Sequence, residues 1–204
     1  MNNIIRKLGR LISIVFLSAA FIGWGDTWDQ IKKGAGTISS VEARFVQEKH
    51  MEILSRPLIS RGTFYFQAPK SLRWEYTSPV RSILLMHDGS VKRYIKKGDT
   101  IMQDSSAGMQ AMQVVLSDIV QWMKGDFNAN PGFIPELKPG RVIILTPRDK
   151  SVADIIQRIE LRLSNKPGVI RSVLIYESKK SYTLLDFSRV KLNARIPDSL
   201  FLGV

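Results

Sequence analysis

Leu72-Arg73-Trp74-Glu75-Tyr76 alternates apolar and charged side chains without a break, and this pattern decides how the rest of the chain is read. Successive side chains of a β-strand point to opposite faces, so Leu72, Trp74 and Tyr76 share one apolar face while Arg73 and Glu75 share the other. Pro69 and Pro79 bound the run. Upstream, Gly62 introduces Thr63–Phe66, in which Phe64 and Phe66 share a face. Further back, Val41, Ala43 and Phe45 alternate with Glu42 and Arg44 in the same way. Downstream, Ser82–Met86 is a nearly continuous apolar strand, and the turn His87-Asp88-Gly89-Ser90 leads into Val91–Ile95.

Outward from this block the pattern changes twice. Over Thr27–Ser39, Trp28, Ile31, Ala35 and Ile38 recur at helical spacing, weakened by Gly34 and Gly36. Over Ser105–Lys124 no proline occurs, and Met109, Met112, Leu116, Ile119 and Met123 form a helical stripe. The stretch 126–140, with its prolines and glycines, reads as loop with one short strand. Strands then resume at Val142–Thr146, Ile155–Ser164, Ile170–Glu177 and Tyr182–Leu192, joined at 165–168 and 178–181 by hairpin turns. The predicted order is helix, about five strands, helix, about five strands. Strands that follow one another without crossover helices pair antiparallel, so the fold class is mainly antiparallel β with helices in a single domain over 26–204.

Residues 1–25 are set apart. Arg6, Lys7 and Arg10 precede an apolar run from Leu11 to Ala20, and no acidic residue comes before Asp26. This is the layout of a secretory signal peptide, cut after Ala20 or nearer Gly25; a retained anchor helix is the alternative. The run is short for a membrane span of about 20 residues. The chain contains no cysteine, which excludes disulfides, thiol chemistry and a lipid-anchoring cysteine. Removing the three basic residues of the leader takes the formal charge from +12 to +9. Such a balance favours anionic partners, and export argues against nucleic acid. The basic residues are spread out, as on any solvated basic surface.

Catalytic constellations are missing. His50 and His87 stand alone near strand ends, without metal-ligand spacing or a nucleophile motif, so the expectation is no enzyme, no metal and no cofactor. An apolar surface is present instead. Phe64, Phe66, Leu72, Trp74, Tyr76, Ile83 and Leu85 come from three successive strands, more than one helix can cover. In a strongly curved sheet they would line a concavity. An ordinary filled core is the other possibility. The methionines of the stripe could repack around varied apolar ligands, or could simply be core. The candidate ligand-binding set is therefore those seven strand residues with Met109, Met112, Leu116, Ile119 and Met123.

The segment Val41–Gly89 also resembles the LolA family of outer-membrane lipoprotein carriers. The matching pieces are Phe45 and Gln47 in "ARFVQEK", Gly62 in "SRGTFYF", Pro69, "LRWEY" with Trp74, Pro79 with "ILLMHDG", and "IPDSLF" near the C-terminus. The resemblance implies a half-open, incomplete β-barrel with a helical lid, enclosing a hydrophobic cavity for acyl chains. It implies a monomeric periplasmic chaperone that accepts lipoproteins from an inner-membrane exporter and delivers them to an outer-membrane receptor, using no nucleotide itself. Absence of cysteine favours the carrier over the lipid-anchored receptor. One departure stands out. Carriers of the best-known type have a lid-holding arginine before the proline that precedes the Trp strand, and here that position is Ala68, with Lys70 and Arg73 nearby. A carrier of another lipid, or a regulatory lipoprotein-sensing module, would be compatible with that change.

Overall fold

The computed structural model describes residues 27–104, 117–166 and 168–203. The leader expected over 1–25, and with it Met109, Met112 and Leu116, lie outside the described residues.

Helix α1 (Trp28–Gly36) starts where the sequence allows it. Thr27 Oγ1 accepts a hydrogen bond from the Gln30 backbone N–H, and the Gln30 side chain accepts one from the Thr27 N–H. This reciprocal box satisfies two of the helix's otherwise unpaired donors. The chain then enters β1 (Ser40–His50), followed by β2 (Leu58–Gln67), β3 (Ser71–Ser78), β4 (Ser82–His87), β5 (Ser90–Lys97) and β6 (Thr100–Asp104). A helix described over 117–123, here α2, precedes β7 (Phe133–Lys138) and β8 (Val142–Pro147). The short helix α3 (Lys150–Ala153) leads to β9 (Arg158–Leu163), β10 (Ile170–Tyr176) and β11 (Tyr182–Leu192), and α4 (Ser199–Leu202) ends the described chain.

All eleven strands form one antiparallel sheet in the order β6-β5-β4-β3-β2-β1-β11-β10-β9-β8-β7. Every neighbour pair is a sequential connection except β1–β11, which joins the two halves. β6 and β7 are the two edges, so the sheet curls without closing: an incomplete barrel. Shifts of register between Arg61 and Gly62 and between Glu42 and Arg44 are bulges that bend the sheet at its centre.

Because strands alternate in direction, the ends of the barrel differ. The connections 51–57, 79–81, 98–99, 148–157 and 177–181 all lie at one end, here the rim. The other end carries α1, whose Ile31 and Ala35 are buried. Trp28 packs on Phe127 at 6.1 Å between ring centroids. Gly168, in the β9–β10 turn at φ +78°, leaves no room for a side chain: a Cβ there would sit 2.3 Å from the Ala35 nitrogen. The turn expected from sequence is thus also the seat of α1.

The second face of β3 and β4 is not wet, as the alternation predicts, but capped by α4. Arg73 is only 5% exposed. Its guanidinium donates to Glu75 Oε2 at 2.9 and 3.0 Å and to the carbonyls of Leu200 and Gly203 at 3.0 and 2.9 Å. Phe201 is buried and stacks on His87. Arg73→Met should leave those two carbonyls without a donor while Glu75 keeps Arg81, its second partner. We expect a loss of about 2–3 kcal/mol and much faster amide exchange over 199–203, measured by denaturation and hydrogen exchange.

Two points differ from the sequence reading: β6 was not anticipated, and β9 begins at Arg158 rather than Ile155 because one helical turn intervenes, whereas the short strand expected inside 126–140 is β7.

Candidate functional site: an apolar cavity inside the open barrel

The cross-strand register builds the concave wall. Ala43, Phe64, Trp74, Leu84, Arg93 and Asp104 lie directly opposite one another across β1 to β6. The row passes from aromatic at the centre to an ion pair at the free edge, where Arg93 Nη1 donates to Asp104 at 3.2 Å. On the other half, Leu185, Val173 and Leu161 follow the same logic across β11, β10 and β9.

These walls enclose a cavity of about 980 Å³, at the top of the range of about 300–1,000 Å³ usual for small-molecule sites. Its lining is overwhelmingly apolar. Phe64, Trp74, Tyr76 and Leu84 come from one half and Ile159, Val173, Ile175, Leu185 and Phe187 from the other, while Ile119, Trp122 and Met123 of α2 face them. Val80 and Pro79 carry the lining up to the rim. At its centre five rings pack together: Phe45 lies 5.0 Å from Trp74, 5.2 Å from Tyr76 and 6.5 Å from Phe187, and Phe64 lies 5.3 Å from Trp74.

Few polar groups enter this space. The Tyr76 hydroxyl donates to Gln47 Oε1 at 2.8 Å. Burial pushes the Tyr76 phenol above its ordinary pKa, against the opposing pull of the neighbouring Trp74 indole and Arg93. Trp74 is 7% exposed, and its Nε1 is buried without an acceptor in hydrogen-bonding geometry. Toward the rim, Asp118 accepts from Asn130 Nδ2 at 2.8 Å; burial raises its carboxyl above the usual range, and the Asn130 bond partly offsets this. Among the described residues no group of three potential metal ligands occurs.

Six of the twelve residues singled out from sequence border the cavity: Phe64, Trp74, Tyr76, Ile83, Ile119 and Met123. Phe66 and Leu72 share the face of Trp74 but lie toward the α1 end, buried in the core and away from the lining. Leu85 pairs with Arg73 and lies outside the lining; Ile83, paired with Glu75, shares that convex parity although it borders the cavity, and Leu84 and Met86 are the residues opposite Trp74 and Leu72. The apolar run of β4 has no alternation from which its inward parity could be read, because α4 buries the convex side as well. Leu185, Phe187 and Arg93 were missed. Leu185 and Phe187 are two apart in β11, a signal of the same kind as Trp74 and Tyr76; nothing in the sequence points to Arg93.

The sequence model of the outer membrane lipoprotein carrier protein LolA matches residues 36–202. The chain belongs to the LolA family. An outer-membrane lipoprotein carrier protein of Pseudoalteromonas translucida (strain TAC 125) is 21% identical over 201 residues, covering 96% of this chain and 91% of that one. Among solved structures, the chain is similar to the MucA/MucB complex of Pseudomonas aeruginosa, at 19% identity and TM-score 0.52, covering 86% of this chain and 60% of that one. A second MucB structure gives 15% identity and TM-score 0.51, over 87% and 62%. These neighbours share the fold. As a LolA-family chain this protein is a non-enzymatic carrier of the lipid-binding type. No helix among the described residues is long and apolar enough to cross a membrane.

The family's lid-arginine position can now be placed. Ala68 lies in the β2–β3 turn at the α1 end, where its N–H donates to the Ser39 carbonyl. Arg73 is committed to α4.

Proposed function

We propose that this LolA-family protein works in the periplasm as a carrier that shields the acyl chains of lipoproteins released from the inner membrane and delivers them to the outer membrane. The observation that carries the reading is the apolar cavity of about 980 Å³, walled by aromatic and aliphatic side chains and continued to the rim by Val80 and Pro79. Burying one sixteen-carbon chain there contributes on the order of 10 kcal/mol at about 0.8 per CH₂, before ordering costs. That is enough to favour extraction, and still permits release to an acceptor with a better cavity. Exporter and receptor are the partners this role requires. The twelve residues named from sequence divide accordingly: Phe64, Trp74, Tyr76, Ile119 and Met123, with Leu84, Leu185 and Phe187, are proposed to touch the ligand.

Protein purified from a periplasmic extract should carry acylated cargo detectable by intact mass spectrometry. Protein that is free of lipid and does not take up a fluorescent fatty acid would overturn the proposal. The likeness to MucB, whose structure is a complex with MucA, keeps a sensing role in view. Depletion separates the two readings. Loss of a carrier strands lipoproteins at the inner membrane, whereas loss of a sensor first alters an envelope response.

A further inference from the structure

Apolar side chains left in solvent are not spread evenly over this barrel. At the rim, Ile53 is 85% exposed and Ile155 69%, and Leu54, Val80 and Ile134 are exposed as well. They come from four separate segments: the β1–β2 loop, the β3–β4 turn, the start of β7 and the α3–β9 connection. Leu58 and Ile59, at the start of β2, add to the rim; elsewhere the exposed large apolar residues are Ile101 and Met102 on the edge strand β6, and Leu202 and the cavity-lining Val190 at the α1 end. Independent segments that each raise an apolar tip at one end form a ring, and isolated exposed residues would not be collected in this way.

The ring is continuous with the cavity, since Val80 belongs to both. It is also framed by positive charge. Arg56, Arg148, Lys150, Arg158, Lys179 and Lys180 are exposed in the same connections or beside them, and they outnumber the exposed acids Glu52, Asp99, Asp149 and Asp154. Glu52 is ion-paired with Lys180, and Arg158 rests on the Tyr176 ring. Apolar tips within a basic frame match an anionic bilayer: aliphatic side chains enter the headgroup boundary, while lysine and arginine meet lipid phosphates.

We infer that the rim is a docking surface for an anionic phospholipid bilayer, holding the cavity mouth against the membrane so that an acyl chain passes between them without crossing water. The inference rests on the reading that the cavity takes acyl chains. It adds that the carrier meets the lipid surface itself, and not only protein partners.

The test is flotation with vesicles of phosphatidylethanolamine and phosphatidylglycerol, and separately with vesicles of phosphatidylcholine alone. The protein and its variants are prepared identically. Docking predicts binding to the anionic vesicles that weakens with added salt, and little binding to the neutral ones. The double variant Ile53→Asp/Leu54→Asp should weaken binding by about tenfold or more, because both tips leave the interface. Leu202→Asp, at the opposite end, should leave it unchanged. Melting curves control for folding, and the high exposure of Ile53 makes its replacement well tolerated. Equal flotation of the rim variant and the parent overturns the inference, as does equal binding to neutral vesicles. Rim variants that float normally but fail to pass cargo to an acceptor protein would assign the face to a protein partner and also overturn it. A fluorescent fatty acid titrated into the same samples separates the two levels. Uptake without vesicle binding removes only the docking surface, and absence of uptake removes the carrier reading itself.

Discussion

Gly62→Val should destabilise this protein severely. Gly62 lies at the bulge where β2 shifts register against β3, opposite Phe45 of β1. A Cβ at that position would sit 2.0 Å from the Glu75 carbonyl oxygen and 2.5 Å from Phe45 Cζ. Neither neighbour can give way cheaply. The carbonyl belongs to the backbone of a central strand, and Phe45, at 1% exposure, is held by the surrounding aromatic rings. The Phe45 ring thus covers the glycine and occupies the space a side chain would take. Overpacking a core commonly costs about 1–3 kcal/mol and more when backbone must move, so a loss of about 3 kcal/mol or greater is expected. For a domain of this size that lowers the melting temperature by about 6–12 °C. Thermal and urea unfolding measure it. A shift of only a degree or two would mean that the strands separate freely at the bulge, contrary to this account.

Trp74→Ala should reduce stability and ligand binding together. From sequence alone these two outcomes were alternatives, one for a filled core and one for a hollow barrel. The structure places Trp74 in the five-ring cluster and on the cavity wall at once. Deleting the indole removes ring contacts on one side, and Trp→Ala in a packed site costs about 3–5 kcal/mol. Because Trp74 also borders the cavity and is not packed by protein on every side, a loss of about 3 kcal/mol is expected, with weaker affinity for a fluorescent fatty acid in the folded fraction. Trp74→Phe separates the contributions. It keeps an aromatic ring and removes the buried Nε1–H, which lies beside the Tyr76 hydroxyl but outside hydrogen-bonding geometry; leaving such a donor unsatisfied costs about 1–3 kcal/mol. Its net effect on stability should be under about 1 kcal/mol, since the relief offsets part of the lost volume. Unfolding and fatty-acid titration on both variants provide the check. Wild-type affinity in folded Trp74→Ala would withdraw Trp74 from the ligand site and leave it as core.

The sequence by itself determined most of the elements and their pairing mode. Alternation in 72–76 and 41–45 forces strands with one apolar face, short polar turns force antiparallel neighbours, and the helical spacing of Trp28, Ile31, Ala35 and Ile38 marks the first helix. These are local effects, set within a few residues by side-chain direction and backbone hydrogen bonding. Tertiary structure decided which face of each strand meets the cavity. In β4 the run Ile83-Leu84-Leu85 is apolar throughout, and only its pairing with β3 turns Leu84 inward and Leu85 outward. Leu85 and Arg73 are buried there because α4, over a hundred residues further along the chain, lies across that face. Arg93 reached the concave wall by the same kind of remote choice, through β4 and then β5. Parity along a strand is a property of the backbone, but its sign is fixed by a partner strand and by whatever covers the far side; a local pattern carries neither.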